Sequence, residues 1–154
     1  MADSGIGEGG RALLFERLVD ESPRTQAELR PFRTHDAQGL RASVLRRLDL
    51  LLNTRATRLR PSGELTVLDY GLPDYSSAYT RDAGMHQHLT REIQRTIEAF
   101  EPRLTLTSVA VSVAGDNERS LKVELLGRIR GESTTEPVAF TIPLSGPGNA
   151  QETL

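Results

Sequence analysis

The hydrophobic period of this chain changes once, at Pro102, and that change restricts its fold more than any other feature. Upstream, apolar residues recur every three or four positions; downstream they alternate. Leu40, Val44, Leu45, Leu48, Leu51 and Leu52 share one face of a 3.6-period helix that closes near Asn53-Thr54. Met85, Leu89, Ile93, Ile97 and Phe100 mark another helix, from about Arg81 to Phe100, with Thr80 as its N-cap and Pro102 as its stop. A shorter pattern over Arg11 to Glu21, with Leu13, Leu14, Phe15, Leu18 and Val19 on a broad face, predicts a leading helix ended by Ser22-Pro23. Beyond Pro102, Val109, Val111 and Val113 alternate with Ala110 and Ser112. Leu121, Val123, Leu125 and Ile129 then alternate with Lys122, Glu124, Leu126 and Arg128. Val138, Phe140 and Ile142 mark a last strand ahead of Pro143, and Gly115-Asp116-Asn117 and residues 131–136 supply the turns. Strands joined this closely form an antiparallel meander, and one of its faces needs a helical cover. The expected class is α+β: helices packed on a small antiparallel β-meander.

The stretch between the two long helices is irregular. Pro61-Ser62-Gly63 reads as a turn, Leu65 to Leu68 as a short strand, and Gly71-Leu72-Pro73-Asp74 as a break. The chain divides into a disordered leader (1–10), a leading helix and linker (11–35), one α+β domain (36–144) and a flexible tail (145–154). At 154 residues it is long enough to bury roughly two thirds of its surface without a disulfide or metal staple.

Composition excludes several functions. With no cysteine, thiolate nucleophiles, cysteine-based zinc sites and disulfide frameworks are ruled out. Nineteen basic against 21 acidic residues, a net charge of −2, argues against a general nucleic-acid binder. No apolar run, Leu50 to Leu52 included, comes near the ~18 residues of a membrane span, so a cytoplasmic protein with no membrane insertion is expected. Charge is uneven along the chain, with net +3 over 1–60 and −5 over 61–154.

No catalytic constellation is legible. His86 and His88, two apart on a helix, point in different directions, and His88 with Glu92 makes two ligands rather than a site, so neither a metal nor another cofactor is expected. Glu98 with Glu101, or Asp69 with Asp74, offers paired carboxylates of the kind glycoside hydrolysis needs. Such clefts favour aromatic platforms, and this chain has no Trp; Tyr70, Tyr75 and Tyr79 cluster around a loop suited to packing. Neither a G-x-S-x-G elbow nor a phosphate-cradling glycine loop is present. The residues point away from an enzyme.

Two segments call for a specific account, Leu51-Leu52-Asn53-Thr54-Arg55 and Phe100-Glu101-Pro102-Arg103-Leu104. Alternation puts Glu101 and Arg103 on one side of the helix-to-strand corner. There they either bind a partner's backbone and side chains or clasp each other internally.

With Val67-Leu68-Asp69-Tyr70-Gly71-Leu72-Pro73-Asp74, these segments carry a family resemblance. The chain resembles the baseplate subunit of bacterial type VI secretion systems, itself related to a contractile-phage tail wedge protein with a lysozyme-like label. The likeness spans the leading helix ending in Asp20-Glu21-Ser22-Pro23, the Leu40–Arg55 helix, the Tyr-Gly-Leu-Pro-Asp loop, the Phe-Glu-Pro-Arg-Leu corner and the meander. It implies a structural protein that joins the baseplate wedge to the first sheath ring and helps initiate sheath assembly. Its partners would be the other wedge proteins and the contractile sheath, with no cofactor. By this resemblance Glu101, Pro102 and Arg103 would bind a partner. Asn53, Arg55, Asp69, Tyr70, Gly71, Pro73 and Asp74 would form a structural or interface motif. The family pattern has Asn at the place of Asp69, a change that removes a hydrogen-bond donor. A soluble regulatory adaptor of the same fold is the alternative, and a peptidoglycan hydrolase the third reading. An unpaired edge of the meander would be the template for a sheath strand.

Overall fold

The computed structural model describes residues 10, 11, 14, 16, 34–56, 63–75, 83–114, 121–131 and 135–144. In chain order, its elements are β1 (Gly10–Arg11), β2 (Thr34–His35), α1 (Ala37–Asn53), a 3-10 turn (Val67–Asp69), α2 (Ala83–Phe100), β3 (Leu104–Val113), β4 (Leu121–Arg130) and β5 (Thr135–Leu144). Among the described residues no helix is long and apolar enough to cross a membrane.

α1 begins where Asp36 accepts the Gly39 amide at 2.7 Å, satisfying one of the donors that a helix start leaves open. Its stripe of Leu40, Val44, Leu48, Leu51 and Leu52 is buried. Leu45, expected on that face, is 39% exposed, while Leu52, two turns on at nearly the same angle, is buried, so that side of α1 is covered only toward its C-terminal end. α2 buries Leu89, Ile93 and Ile97, with Met85 and Phe100 packed at the margin. Thr80, read as its N-cap, lies outside the described residues.

The three long strands form one antiparallel sheet in the order β3-β4-β5, as the alternation predicts. β4 is central, and its residues 121, 123, 125, 127 and 129 face the helices while 124, 126, 128 and 130 are exposed. Phe140, Ile142 and Leu144 of β5 complete that inner face. One irregularity breaks the pattern. The register slips between Leu106 and Ser108, a bulge that moves inward-facing positions from 104 and 106 to 109, 111 and 113. Gly127 lies across from it, where a Cβ would stand 2.5 Å from the Thr105 carbonyl oxygen. β5 does not stop at Pro143, as the sequence suggested, but runs through it to Leu144. Proline is tolerated because Pro137 and Pro143 sit on an outer strand with their missing donors turned away from β4.

Several expectations need correction. Leu65 to Leu68 forms no strand: Val67–Asp69 is a single 3-10 turn, fixed by Thr66 and Asp69, which cap each other reciprocally. Arg11 belongs to β1, paired with Thr34, rather than to the leading helix. Of that helix only Leu14 and Glu16 are described; both are helical, and Leu14, expected on its apolar face, is 67% exposed. The rest of it, the leader through residue 9, the turn at 115–117 and the tail from 145 lie outside the described residues.

Candidate functional site

The helix-to-strand corner is built from local hydrogen bonds. The Glu101 amide donates to the Ile97 carbonyl at 2.8 Å, closing α2. Pro102 then forbids another helical turn, and Leu104 turns back to donate to the Glu101 carbonyl at 3.1 Å. The Arg103 carbonyl accepts from Arg130 at 2.8 Å, which starts the ladder with β4. This geometry drives Glu101 inward, to 1% exposure, and leaves Pro102 at the surface. Arg103 answers the buried carboxylate with its fork: Nε donates to Oε1 at 2.7 Å and Nη2 to Oε2 at 2.8 Å. A bidentate, charge-assisted pair is what permits a carboxylate to be held out of water.

The pair does not end there. Arg103 Nη1 donates to Ser43 Oγ on α1 at 3.0 Å, and that hydroxyl donates to Glu16 Oε2 at 3.0 Å. Glu16 also takes His35 Nε2 at 3.0 Å and Arg46 Nη2 at 3.0 Å. A polar chain thus links the leading segment, α1 and the corner.

The second group of motif residues forms a joint between the end of α1 and the loop after the 3-10 turn. Leu72 donates to the Thr54 carbonyl at 2.8 Å and its own carbonyl accepts from Ala56 at 2.8 Å, a parallel bridge between Leu72 and Arg55. Gly71 makes that approach feasible. Its φ is +102°, and a Cβ there would meet the Thr54 carbonyl oxygen at 2.4 Å. Arg55 and Asp74 stand 3.9 Å apart at the surface, adjoining the bridge. Asn53 Nδ2 reaches Asp49 at 2.9 Å and the Pro143 carbonyl of β5 at 3.2 Å. Asp69 is buried, its Oδ2 accepting both the Thr66 amide and hydroxyl at 2.9 Å. Pro73, half-buried, follows the bridge and precedes Asp74.

Tyr70 joins the two groups. Its ring meets Phe100 edge-on with centroids 5.3 Å apart, so the loop rests on the last residue of α2. Burial raises the Tyr70 phenol above its ordinary value; the Arg47 charge pulls it back and the Glu101 charge adds to the rise. Tyr75 is buried in the core, which supports the packing account of the tyrosine-rich loop.

The carboxylate pairs considered for hydrolysis do not converge. Glu98 is exposed and accepts from Gln94, whereas Glu101 is buried and occupied by Arg103. Asp69 caps a turn while Asp74 is exposed beside Arg55. Among the described residues no three His, Asp or Glu side chains are grouped to hold a metal. Sequence reasoning missed Ser43, Glu16, His35 and Arg46. Ser43 had a signal, a small polar residue three positions after Leu40 on the buried face of α1; Glu16 and His35 had none.

The two outer edges of the sheet differ. On β5, Pro137 and Pro143 lack donors at outward positions, and α1 caps the carbonyls of Ala139 and Pro143 through Arg41 at 3.3 Å and Asn53 at 3.2 Å. On β3, the residues paired with β4 through the backbone are Ser108, Ala110 and Ser112. Val109, Val111 and Val113 therefore turn their amides and carbonyls outward, with no hydrogen bond to them from described residues.

Comparison with known proteins gives this arrangement a lineage. Residues 38–134 match the family described as baseplate wedge protein gp25. That is more than half of the chain, and the chain belongs to this family. Its place there is that of a structural wedge protein. One solved structure with the same fold is titled "The baseplate complex from the type VI secretion system"; it is 21% identical, with a TM-score of 0.51, covering 70% of this chain and 96% of that one. A comparison with a putative tail lysozyme from Geobacter sulfurreducens gives 18% identity and a TM-score of 0.47, covering 68% of this chain and 91% of that one. Among curated proteins none matches.

Proposed function

We propose that this chain is a baseplate subunit of a type VI secretion machine, joining the wedge complex to the first sheath ring in the cytoplasm and helping to initiate sheath assembly. The family match over residues 38–134 carries the reading, and the shared fold with a chain of a type VI baseplate complex supports it. The working unit is the domain of residues 36–144, with 11–35 as a leading arm.

The wedge-facing element is the corner of Glu101, Pro102 and Arg103. Its internal ion pair gives it one rigid shape, with Pro102 exposed for contact. The joint of Asn53, Arg55, Asp69, Tyr70, Gly71, Pro73 and Asp74 acts as the brace that holds the corner against α1. The sheath-facing element is the outward edge of β3, whereas prolines and α1 side chains obstruct β5.

Co-purification with the other wedge proteins tests this. Pro102→Glu alters the exposed tip without removing the ion pair, so it should melt like the wild type yet fail to enter the wedge. Normal assembly by that variant would remove the corner from the interface. If wild type itself finds no wedge, the soluble regulatory adaptor becomes the better reading.

A further inference from the structure

No described residue covers the outer face of the long sheet, the one turned away from α1 and α2. A face meant only for water needs nothing but polar side chains, and this one departs from that. Leu126 stands at its centre, 50% exposed, with Ser108 of β3 and Ala139 of β5 directly beside it in the register. Both neighbours are too small to shield it. Along the same strand the charges are sorted by position. Lys122 and Glu124 satisfy each other at 2.8 Å, which leaves their end neutral. At the other end Arg128 and Arg130 are exposed, and neither guanidinium has a hydrogen bond or ion pair with a described residue. These unpaired cations lie in a part of the chain, residues 61–154, whose net charge is −5.

We infer that this face receives one amphipathic helix of the docking wedge protein, its apolar stripe over Leu126 and two of its carboxylates, one turn apart, on Arg128 and Arg130. The dimensions select a helix. Two positions on β4 separated by one residue lie about 7 Å apart, within side-chain reach of helix residues one turn apart, whose spacing is about 5–6 Å. The two strands flanking β4 are ~10 Å apart, close to the diameter of a helix. Charge selects an acidic one, because an arginine fork takes a carboxylate through two parallel hydrogen bonds. The basic end of the face also adjoins the corner, where the Arg130 amide donates to the Arg103 carbonyl at 2.8 Å. A partner seated on Pro102 therefore reaches the face without a break. This rests on the wedge reading above, and it adds the shape and chemistry of the partner's contacting element.

Arg128→Glu combined with Arg130→Glu alters two exposed, unpaired side chains, so the double variant should melt like the wild type. Its affinity for the wedge assembled from the other subunits should fall about tenfold or more, and Arg128→Gln with Arg130→Gln should bind with a shallower salt dependence than wild type. A benzophenone side chain in place of Leu126 should crosslink, in the bound state, to a wedge peptide with apolar residues at three- and four-residue spacing and acidic residues beside them. Equal wedge affinity for wild type and both double variants, or a crosslink to a neutral or basic peptide, would overturn the helix proposal and leave the wedge reading standing. Self-association of the free chain that Leu126→Glu abolishes would overturn it too, because a second copy would then occupy the face. If wild type itself binds no wedge, the wedge reading falls and takes this proposal with it.

Discussion

Arg103 grips both carboxylate oxygens of Glu101, at 2.7 and 2.8 Å, with a single proline between the two residues. The pair is the innermost part of a corner where helix becomes strand. Its carboxylate is nearly inaccessible, at 1% exposure, so its first duty is to the fold. An interface built at this corner would use the shape that the pair enforces.

Removing one member should therefore cost more than removing both. Arg103→Ala strands a buried charge and should lower unfolding free energy by about 3–5 kcal/mol. Combining Glu101→Gln with Arg103→Met should recover a large part of that loss. Urea unfolding of the two variants checks it; equal losses would mean that the pair is screened by water.

Gly71→Ala should destabilise the chain by about 2 kcal/mol or more, since alanine at φ +102° is strained and its Cβ would strike the Thr54 carbonyl. The damage should concentrate on the Arg55–Leu72 bridge. Hydrogen exchange at the Leu72 and Ala56 amides, together with the melting temperature, would reveal it.

By the family resemblance, Asn would stand where this chain has Asp69. The structure uses it as an acceptor, with one oxygen taking two donors from Thr66. An amide oxygen can do the same, so Asp69→Asn should change stability by less than about 1 kcal/mol. Asp69→Ala, which leaves the Thr66 donors unmet, should cost about 1–3 kcal/mol. Chemical denaturation of both variants decides whether acceptor capacity or charge is the requirement.

The raised Tyr70 phenol predicts an alkaline loss of stability. Folding favours its neutral form, so this contribution is complete below pH about 10 and is lost as pH rises through the higher folded-state value. Tyr70→Phe should flatten that part of the pH profile. Melting temperatures between pH 8 and 11 for the two proteins make the comparison, and identical slopes would exclude Tyr70 as the source.

Sheath binding should protect one edge of the sheet. The amides of Val109, Val111 and Val113 should exchange at least tenfold more slowly in the presence of the first sheath ring, while those of Ala139 and Thr141 should be unchanged. Protection confined to β5 would reverse the assignment of edges.

Much of the fold was legible because its signals are local. Leu40, Val44, Leu48 and Leu51 specify a helix face by spacing alone, and Val123 and Leu125 specify a strand face by alternation. The errors arose where a local pattern served a non-local need. Val67-Leu68 is apolar enough for a strand, yet the Thr66–Asp69 capping pair wins and both side chains are left exposed. Pro143 looked like a terminator because its missing amide matters only if it points at a neighbour, and pairing with β4 turns it outward. The bulge between Leu106 and Ser108 changes which residues face inward without any break in the run of strand formers.

The candidate site divides in the same way. By itself the sequence determined the helix stop at Pro102, the closeness of Glu101 to Arg103, the break at Gly71-Leu72-Pro73-Asp74 and the order of the two long helices before the three long strands. Each of these depends on backbone sterics or on residues a few positions apart. Only the tertiary structure decided that Glu101 points inward, that Arg103 also reaches Ser43, 60 residues away, and that Glu16 closes the chain of contacts. It alone distinguished the edge of β5, obstructed by prolines and α1 side chains, from that of β3, to which no described residue donates a hydrogen bond. Those outcomes depend on which surfaces meet when α1, α2 and the sheet bury their apolar faces together, a geometry that no local spacing encodes.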